Sequence, residues 1–426
     1  MGMMKTIMLS LCALTLAISQ PAGADEQQRN QAKRIHDRLT GVNATNAALD
    51  DMESLLDTDP SGKSAARYAI DPVRNPTNAR YFYNVTLKNF AAPWTNEEQT
   101  VFTPLNDYSA TVVGAIRDAI DFRRILYDDL VYVGKVGGID PPRNINNNHY
   151  EDLEALGPFD GDLSNPDILG ETTQSNFSSL DPNLDTNATA GVMTSRAGAM
   201  AFFSDGTNRA MLRFTLMNHL CTDLEPLKDV SRPSDRVRRD VTRSPGGDSR
   251  IFLNGCVGCH AGMDGMAGAF AYYEWDYTND KSDGRLAYAE TPGLVSLKHN
   301  INETNFEYGY ITTDDSWINY WRNGPNSKLG NRPADAGSGW GHSSEVLDSK
   351  NNAIGTGAKT LGMELANSKA FAQCQVDKTF KAVCLRDPNI FDADRDARDD
   401  IVGSFKGGGY NMREVFTDVA AYCKGE

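Results

Sequence analysis

The stretch Gly255-Cys256-Val257-Gly258-Cys259-His260-Ala261-Gly262-Met263-Asp264 sets two thiols three positions apart and an imidazole directly after the second. This CxxCH spacing is that of covalent c-type haem attachment. The two thiols can add to the two vinyl groups while the adjoining imidazole reaches the iron from the same side. With 7 Cys and 6 His in 426 residues, chance gives the pattern about 0.002 times. Cys256 and Cys259 are therefore expected to hold one haem c through thioethers, with His260 as the proximal axial ligand. A thioredoxin-like redox pair would need a strand-to-helix context, and a zinc site a second Cys or His pair nearby. The sequence around the motif offers neither.

The other axial position is open to several residues. Met263 and Met266 follow His260 too closely to cross to the opposite haem face, and are expected to pack at its edge. His299, in Ser296-Leu297-Lys298-His299-Asn300, is the preferred distal candidate, with His342 and Met363 as alternatives. Met211, Met217 and His219 remain from the preceding segment. An iron without a protein ligand on that side would be open to peroxide or oxygen chemistry. The aromatic run Phe270, Tyr272, Tyr273, Trp275 and Tyr277 reads as packing that keeps water from the haem, with an electron relay as the alternative.

Outward from the motif, Cys256 to Asp264, continuing to Asp276 and Gly284-Arg285, resembles the haem segment of the planctomycete-type cytochrome c-associated proteins. There CxxCH is followed by Met-Asp-Pro and later Gly-Xaa-Arg. The stretch from Ser195-Arg196-Ala197-Gly198 through Asn208-Arg209-Ala210 to Leu220-Cys221 is similar to the preceding domain of those proteins. Leu361-Gly362-Met363-Glu364-Leu365-Ala366-Asn367-Ser368 with Phe371-Ala372-Gln373-Cys374 is similar to the closing one. Two departures stand out: Gly265 occupies the place of the Pro, and residues 290–359, which contain His299 and His342, are longer than the family pattern. The resemblance implies an exported, mostly helical haem protein and defines no substrate.

The wider pattern agrees with a mainly α fold: a multi-helix N-terminal domain, a c-type haem segment, a helical C-terminal domain and long irregular loops. Helical periodicity is expected over 27–39, over 47–56 with Leu49, Met52, Leu55 and Leu56 on one side, and over 81–90. It is expected again over 108–126 with Asp107 or Ser109 as cap, over 204–221, and over 368–386 with Ser368 as cap. Residues 134–190, rich in Asn, Asp, Pro and Gly, read as long loops, and no alternating strand series is evident. The divisions are 1–24, a signal peptide; 25–225, the N-terminal domain; 226–290, the haem segment; 291–360, a loop-rich insertion; and 361–426, the C-terminal domain.

Lys5, the apolar run 7–18 and Ala22-Gly23-Ala24 before Asp25 form a secretory signal, with cleavage expected after Ala24. Leu11 before Cys12 is too large for a lipidation site. No later stretch approaches the ~20 apolar residues of a bilayer span, so a periplasmic or secreted protein is expected. The net charge of −15 argues against a nucleic-acid partner. Between Lys228 and Arg250 the chain turns basic, which reads as a solvated linker or as a contact for haem propionates or an acidic partner.

Apart from Cys256 and Cys259, the exported chain holds Cys221, Cys374, Cys384 and Cys423, an even set in an oxidising compartment. If residues 368–386 form one helix, Cys374 and Cys384 lie about 15 Å apart and cannot pair. We expect Cys384–Cys423 and Cys221–Cys374. Asp392-Ala393-Asp394-Arg395-Asp396 lacks the turn Gly and bidentate Glu of an EF-hand, so calcium is not expected and the segment reads as an acidic loop. Gly355-Thr356-Gly357 with Gly362 has no evident apolar strand before it and is not read as a dinucleotide fingerprint. The expected function is single-electron transfer to a periplasmic or extracellular redox protein. The alternatives are a peroxidase or oxidase with an open distal iron, and a haem-bearing sensing or binding module.

Overall fold

The computed structural model describes residues 22–177, 186–204, 208–290, 307–322, 329 and 342–425. The expected signal peptide lies outside them apart from its last three residues, which open the first helix.

Helices α1 (Ala22–Thr40), α2 (Asn46–Thr58) and α3 (Lys63–Ala69) begin the chain. The Thr45 hydroxyl accepts the Ala48 N–H at 3.2 Å, ending the loop and starting α2, which buries Leu49, Met52 and Leu56. Ala79–Tyr81, Phe82–Leu87 and Lys88–Ala91 run on as one helical stretch whose middle is π-wound. Helix α4 (Asp107–Arg117) is buried along its whole length, so its apolar periodicity does not mark one inner face.

The caps and ends of α4 differ from the sequence expectation. Its cap is Asn106, whose side chain accepts the Ser109 N–H at 3.0 Å while Ser109 Oγ accepts the Asn106 N–H at 3.1 Å. The helix stops at Arg117 because Ala119 takes a left-handed conformation, φ 53°; Phe122–Leu126 is a separate 3-10 turn. Asp107 is diverted to a neighbour, where it accepts the N–H groups of Arg196 and Ala197.

Helix α5 (Asn148–Ala155) lies within the stretch expected to be loop. Helix α6 (Arg196–Phe202) comes next, and α7 (Arg209–Leu220) is the helix expected over 204–221, beginning five residues later. Asn208, left-handed at φ 58°, precedes α7, and its amide donates to the carbonyls of Phe270 and Tyr273 at 2.8 Å each. Then come α8 (Val257–Ala267), which carries Cys259 and His260, α9 (Gly357–Ala366), α10 (Lys369–Cys384), α11 (Asp392–Gly407) and α12 (Met412–Tyr422). Ser368 caps α10 as expected, accepting the Phe371 N–H at 3.1 Å. The acidic segment read as a loop is the first turn of α11, where Asp392 and Asp394 complement the helix dipole.

Among the described residues, three small antiparallel sheets fill stretches that the sequence left without strand assignment. Strands β1 (Val131–Gly134) and β2 (Leu169–Thr172) pair, as do β3 (Tyr273–Asp276) and β4 (Arg285–Tyr288). Strands β5 (Ser316–Asn319), β6 (Val346–Leu347) and β7 (Ala353–Thr356) form a sheet in the order β5-β7-β6, with Ile318 opposite Ile354. A strand, β7, thus does precede Gly357. Its sheet is antiparallel, and the glycines serve packing: a Cβ on Gly355 would meet the Trp317 ring at 2.5 Å, and one on Gly362 the Leu126 carbonyl oxygen at 1.9 Å.

The main core runs from Ala32 to Cys423, beside a smaller cluster of Val237, Phe252, Val257 and Ala261. α1 and α3 pack on α12, and α10 packs on α7, α11 and α12, so both ends of the described chain share that core. Cys221, at the end of α7, is bonded to Cys374 in α10, and Cys384 to Cys423 just after α12, with Cα atoms 5.2 and 5.6 Å apart. This is the expected pairing.

Candidate functional site

Helix α8 grows out of two short helical turns, Ser249–Ile251 and the π-wound Phe252–Cys256. Cys256 is its N-cap, and Cys259 and His260 lie in its first turn. All three side chains are half-buried. Both cysteines are unpaired thiols in a chain whose other four described cysteines are bonded. Ile251 and Leu253, just before Cys256 in the chain, and Val230, beside Gly258, are exposed apolar side chains, and a Cβ on Gly255 would meet nothing within 4 Å. Burial pushes the Cys259 thiol up, the opposite of what an attacking redox thiolate needs. No strand leads into α8 either, since the helix is entered from a helical turn.

What seats α8 is a stripe of glycines. A Cβ on Gly258 would lie 2.5 Å from the Lys228 side chain, one on Gly262 2.1 Å from the Trp321 ring, and one on Gly265 3.0 Å from the Ile318 carbonyl oxygen. These residues recur at four- and three-residue spacing and so share one helix face, onto which β5 and the fully buried Trp321 close. That spacing was present in the sequence.

Asp264, one turn beyond His260, was not singled out by its sequence. Its carboxylate Oδ2 is 3.3 Å from His260 Nδ1. Arg209, at the start of α7, donates from Nε to Oδ1 at 2.6 Å and from Nη2 to Oδ2 at 3.0 Å, and the Arg238 N–H donates to Oδ2 at 3.3 Å. Burial alone would raise the Asp264 carboxyl, but the His260 hydrogen bond and the Arg209 charge outweigh it and hold the group well below the usual carboxylate range. Arg209 is shared with Asp240, at 2.7 and 2.8 Å. Among the described residues, His260 Nε2 makes no hydrogen bond.

The donor set fits a covalent haem. Two free thiols and an imidazole nitrogen sit in one helical turn, and the other imidazole nitrogen faces an oriented carboxylate, the arrangement that fixes a metal-bound histidine. The basic stretch expected as a solvated linker is largely paired: Arg232 with Asp229, Arg250 with Asp248, and Arg238 fully buried. Of the aromatic run, Phe270, Tyr273 and Trp275 are core residues, Tyr273 stacking on Phe203 with ring centroids 5.4 Å apart. Tyr277 is exposed. Met263 and Met266 belong to the main core.

Several of the distal candidates already have protein partners. His299 lies outside the described residues. His342 has Nε2 3.0 Å from Glu364 Oε2 and Nδ1 3.2 Å from Ser344 Oγ, and the same Ser344 Oγ donates to Met363 Sδ at 3.1 Å. His219 is fully buried, its Nε2 2.6 Å from the Tyr108 hydroxyl, and burial pushes it down to about 3. Met211 is buried in α7 and accepts from Thr215, while Met217 is partly buried against the main core. His342, Glu345 and Glu364 are the one grouping among the described residues that could hold a metal ion. Arg322 nevertheless already pairs with both carboxylates, and Asn319 donates to Glu364 at 3.0 Å. The grouping reads as a buried ion-pair network tying β5 to α9.

No helix among the described residues is long and apolar enough to cross a membrane. Comparison with protein families, with curated proteins and with solved structures finds no match to this chain. Its function must be read from the chemistry of α8 and what surrounds it.

Proposed function

We propose that this protein is an exported mono-haem c-type cytochrome that carries single electrons to or from a periplasmic or extracellular redox partner. The observation that carries the reading is the start of α8, where the unpaired Cys256 and Cys259 precede His260, whose Nδ1 faces Asp264. Cys256 and Cys259 would hold the haem c covalently, and His260 would be its proximal ligand. Bound there, the haem supplies a one-electron iron couple. The chain's own part is to fix the imidazole through Asp264 and to keep α8 rigid against Trp321 and β5. The likeness of Cys256 to Asp264 to the planctomycete-type cytochrome c-associated proteins supports the same reading.

A second reading, a peroxidase or oxidase with an open distal iron, is favoured by the engagement of His342, His219 and Met363 with the protein partners Glu364, Tyr108 and Ser344. An absorption spectrum of the reduced protein with and without carbon monoxide separates the two. Unchanged bands mean iron ligated on both faces and support the electron carrier. A large shift with peroxide turnover supports the enzyme.

A further inference from the structure

The groups around His260 do more than hold a ring in place. The Asp264 carboxylate is fully buried, and Arg209 grips both its oxygens from α7 while the Arg238 N–H takes a further position on Oδ2. Arg209 is itself held by Asp240 through both terminal nitrogens. The carboxylate therefore cannot swing away, and its Oδ2 lies 3.3 Å from His260 Nδ1. A proton on Nδ1 shared with a carboxylate leaves the lone pair on Nε2, which fixes the tautomer and makes the imidazole a stronger donor to a metal.

We infer that Asp264 is a positioning residue that orients His260 and, as an anion one hydrogen bond from the proximal ligand, holds the reduction potential of the iron below the value an uncharged partner would give. This rests on the haem reading of Cys256, Cys259 and His260. The sign follows from charge: the oxidised iron carries the extra positive charge and gains more from the anion than the reduced iron does. Arg209, whose charge is divided between Asp264 and Asp240, and the buried Arg238 guanidinium moderate the effect. Removing the Asp264 charge leaves the arginines in place, so the potential must rise.

The experiment measures covalent haem and midpoint potential in the wild-type holoprotein, in Asp264→Asn and in Asp240→Asn. Asp264→Asn removes a charge that touches the imidazole, whereas Asp240→Asn removes the same charge from the far side of Arg209. The expected result is a rise for Asp264→Asn of at least tenfold in the one-electron equilibrium constant, which is about 59 mV, and less than half that for Asp240→Asn. Equal rises in both variants, or no rise in Asp264→Asn, overturn the role of Asp264 while leaving the haem reading intact. A wild-type chain without covalent haem overturns both. Should Asp264→Asn not accumulate as a folded haem protein, the nitrogen-15 resonance of His260 Nδ1 in the reduced wild type decides. A proton shared with a carboxylate upholds the assignment, and one exchanging freely with water overturns it.

Discussion

Replacing Cys221 and Cys374 together by Ala removes the staple between α7 and α10 and tests how these helices are tied. The bridge closes a loop of 153 residues, which includes all of α8. In the chain-entropy account, closing such a loop removes about 17 cal/mol/K from the unfolded chain, or about 5 kcal/mol at 25 °C. Measured bridges commonly give less than the ideal value, so the expected loss is about 3 to 5 kcal/mol. Spread over about 400 residues with an unfolding entropy of about 2.1 cal/mol/K each, the full value corresponds to a fall in Tm of about 6 °C. The Cys384–Cys423 bridge closes only 39 residues, which is worth about 1 kcal/mol less. Both of its sulfurs are buried, however, whereas Cys221 is exposed, so lost packing offsets the shorter loop and the two double variants should be similarly destabilised. Denaturant unfolding with a structural probe measures both. A loss below about 1 kcal/mol for the α7–α10 bridge, or free thiols at these four positions in the native protein, would refute the reasoning.

Gly262→Ala sets two effects of opposite sign against each other. Helix propensity alone would stabilise α8 by about 1 kcal/mol, but the new Cβ would lie 2.1 Å from the buried Trp321 ring, and overpacking of this kind costs about 1 to 3 kcal/mol. A net loss of stability with a changed tryptophan emission is expected, and a net gain would mean that Trp321 does not close on this face. His219 gives the pH dependence. Its folded pKa, about 3, lies below the ordinary value of 6.5, so between these the unfolded chain binds a proton that the native state refuses. Stability falls as pH drops through that window, by at most about 1.4 kcal/mol per pH unit from this group. The slope should be shallower by up to one proton in His219→Gln, and identical slopes in the two proteins would show that His219 is not buried neutral.

Elements that carry their own signals were legible in the sequence. Helix α10 combines a Ser cap with Phe371, Val376, Phe380 and Val383 turned inward, and α2 combines Thr45 with a clean apolar stripe. Where tertiary context decides, the reading failed. Helix α4 is buried on every side, so its periodicity could not show that it ends at Arg117, and Ala119 gives no compositional hint of a left-handed turn. The β5-β7-β6 sheet is built of strands of two to four residues, too short for alternation to register. Alternating acids at Asp392–Asp396 suit a helix start as well as a loop. At the site itself, CxxCH is a local pattern and was readable. The clamp on His260 was not, because Arg209 and Asp264 are 55 positions apart and meet only when α7 packs on α8.

The most direct test of the central claim is a haem determination on the exported protein after denaturation, by pyridine haemochrome absorption and by haem staining of a denaturing gel. One covalent haem per chain is expected, abolished by Cys256→Ala with Cys259→Ala. A colourless chain, or one in which Cys256 and Cys259 are bonded to each other, would contradict the account.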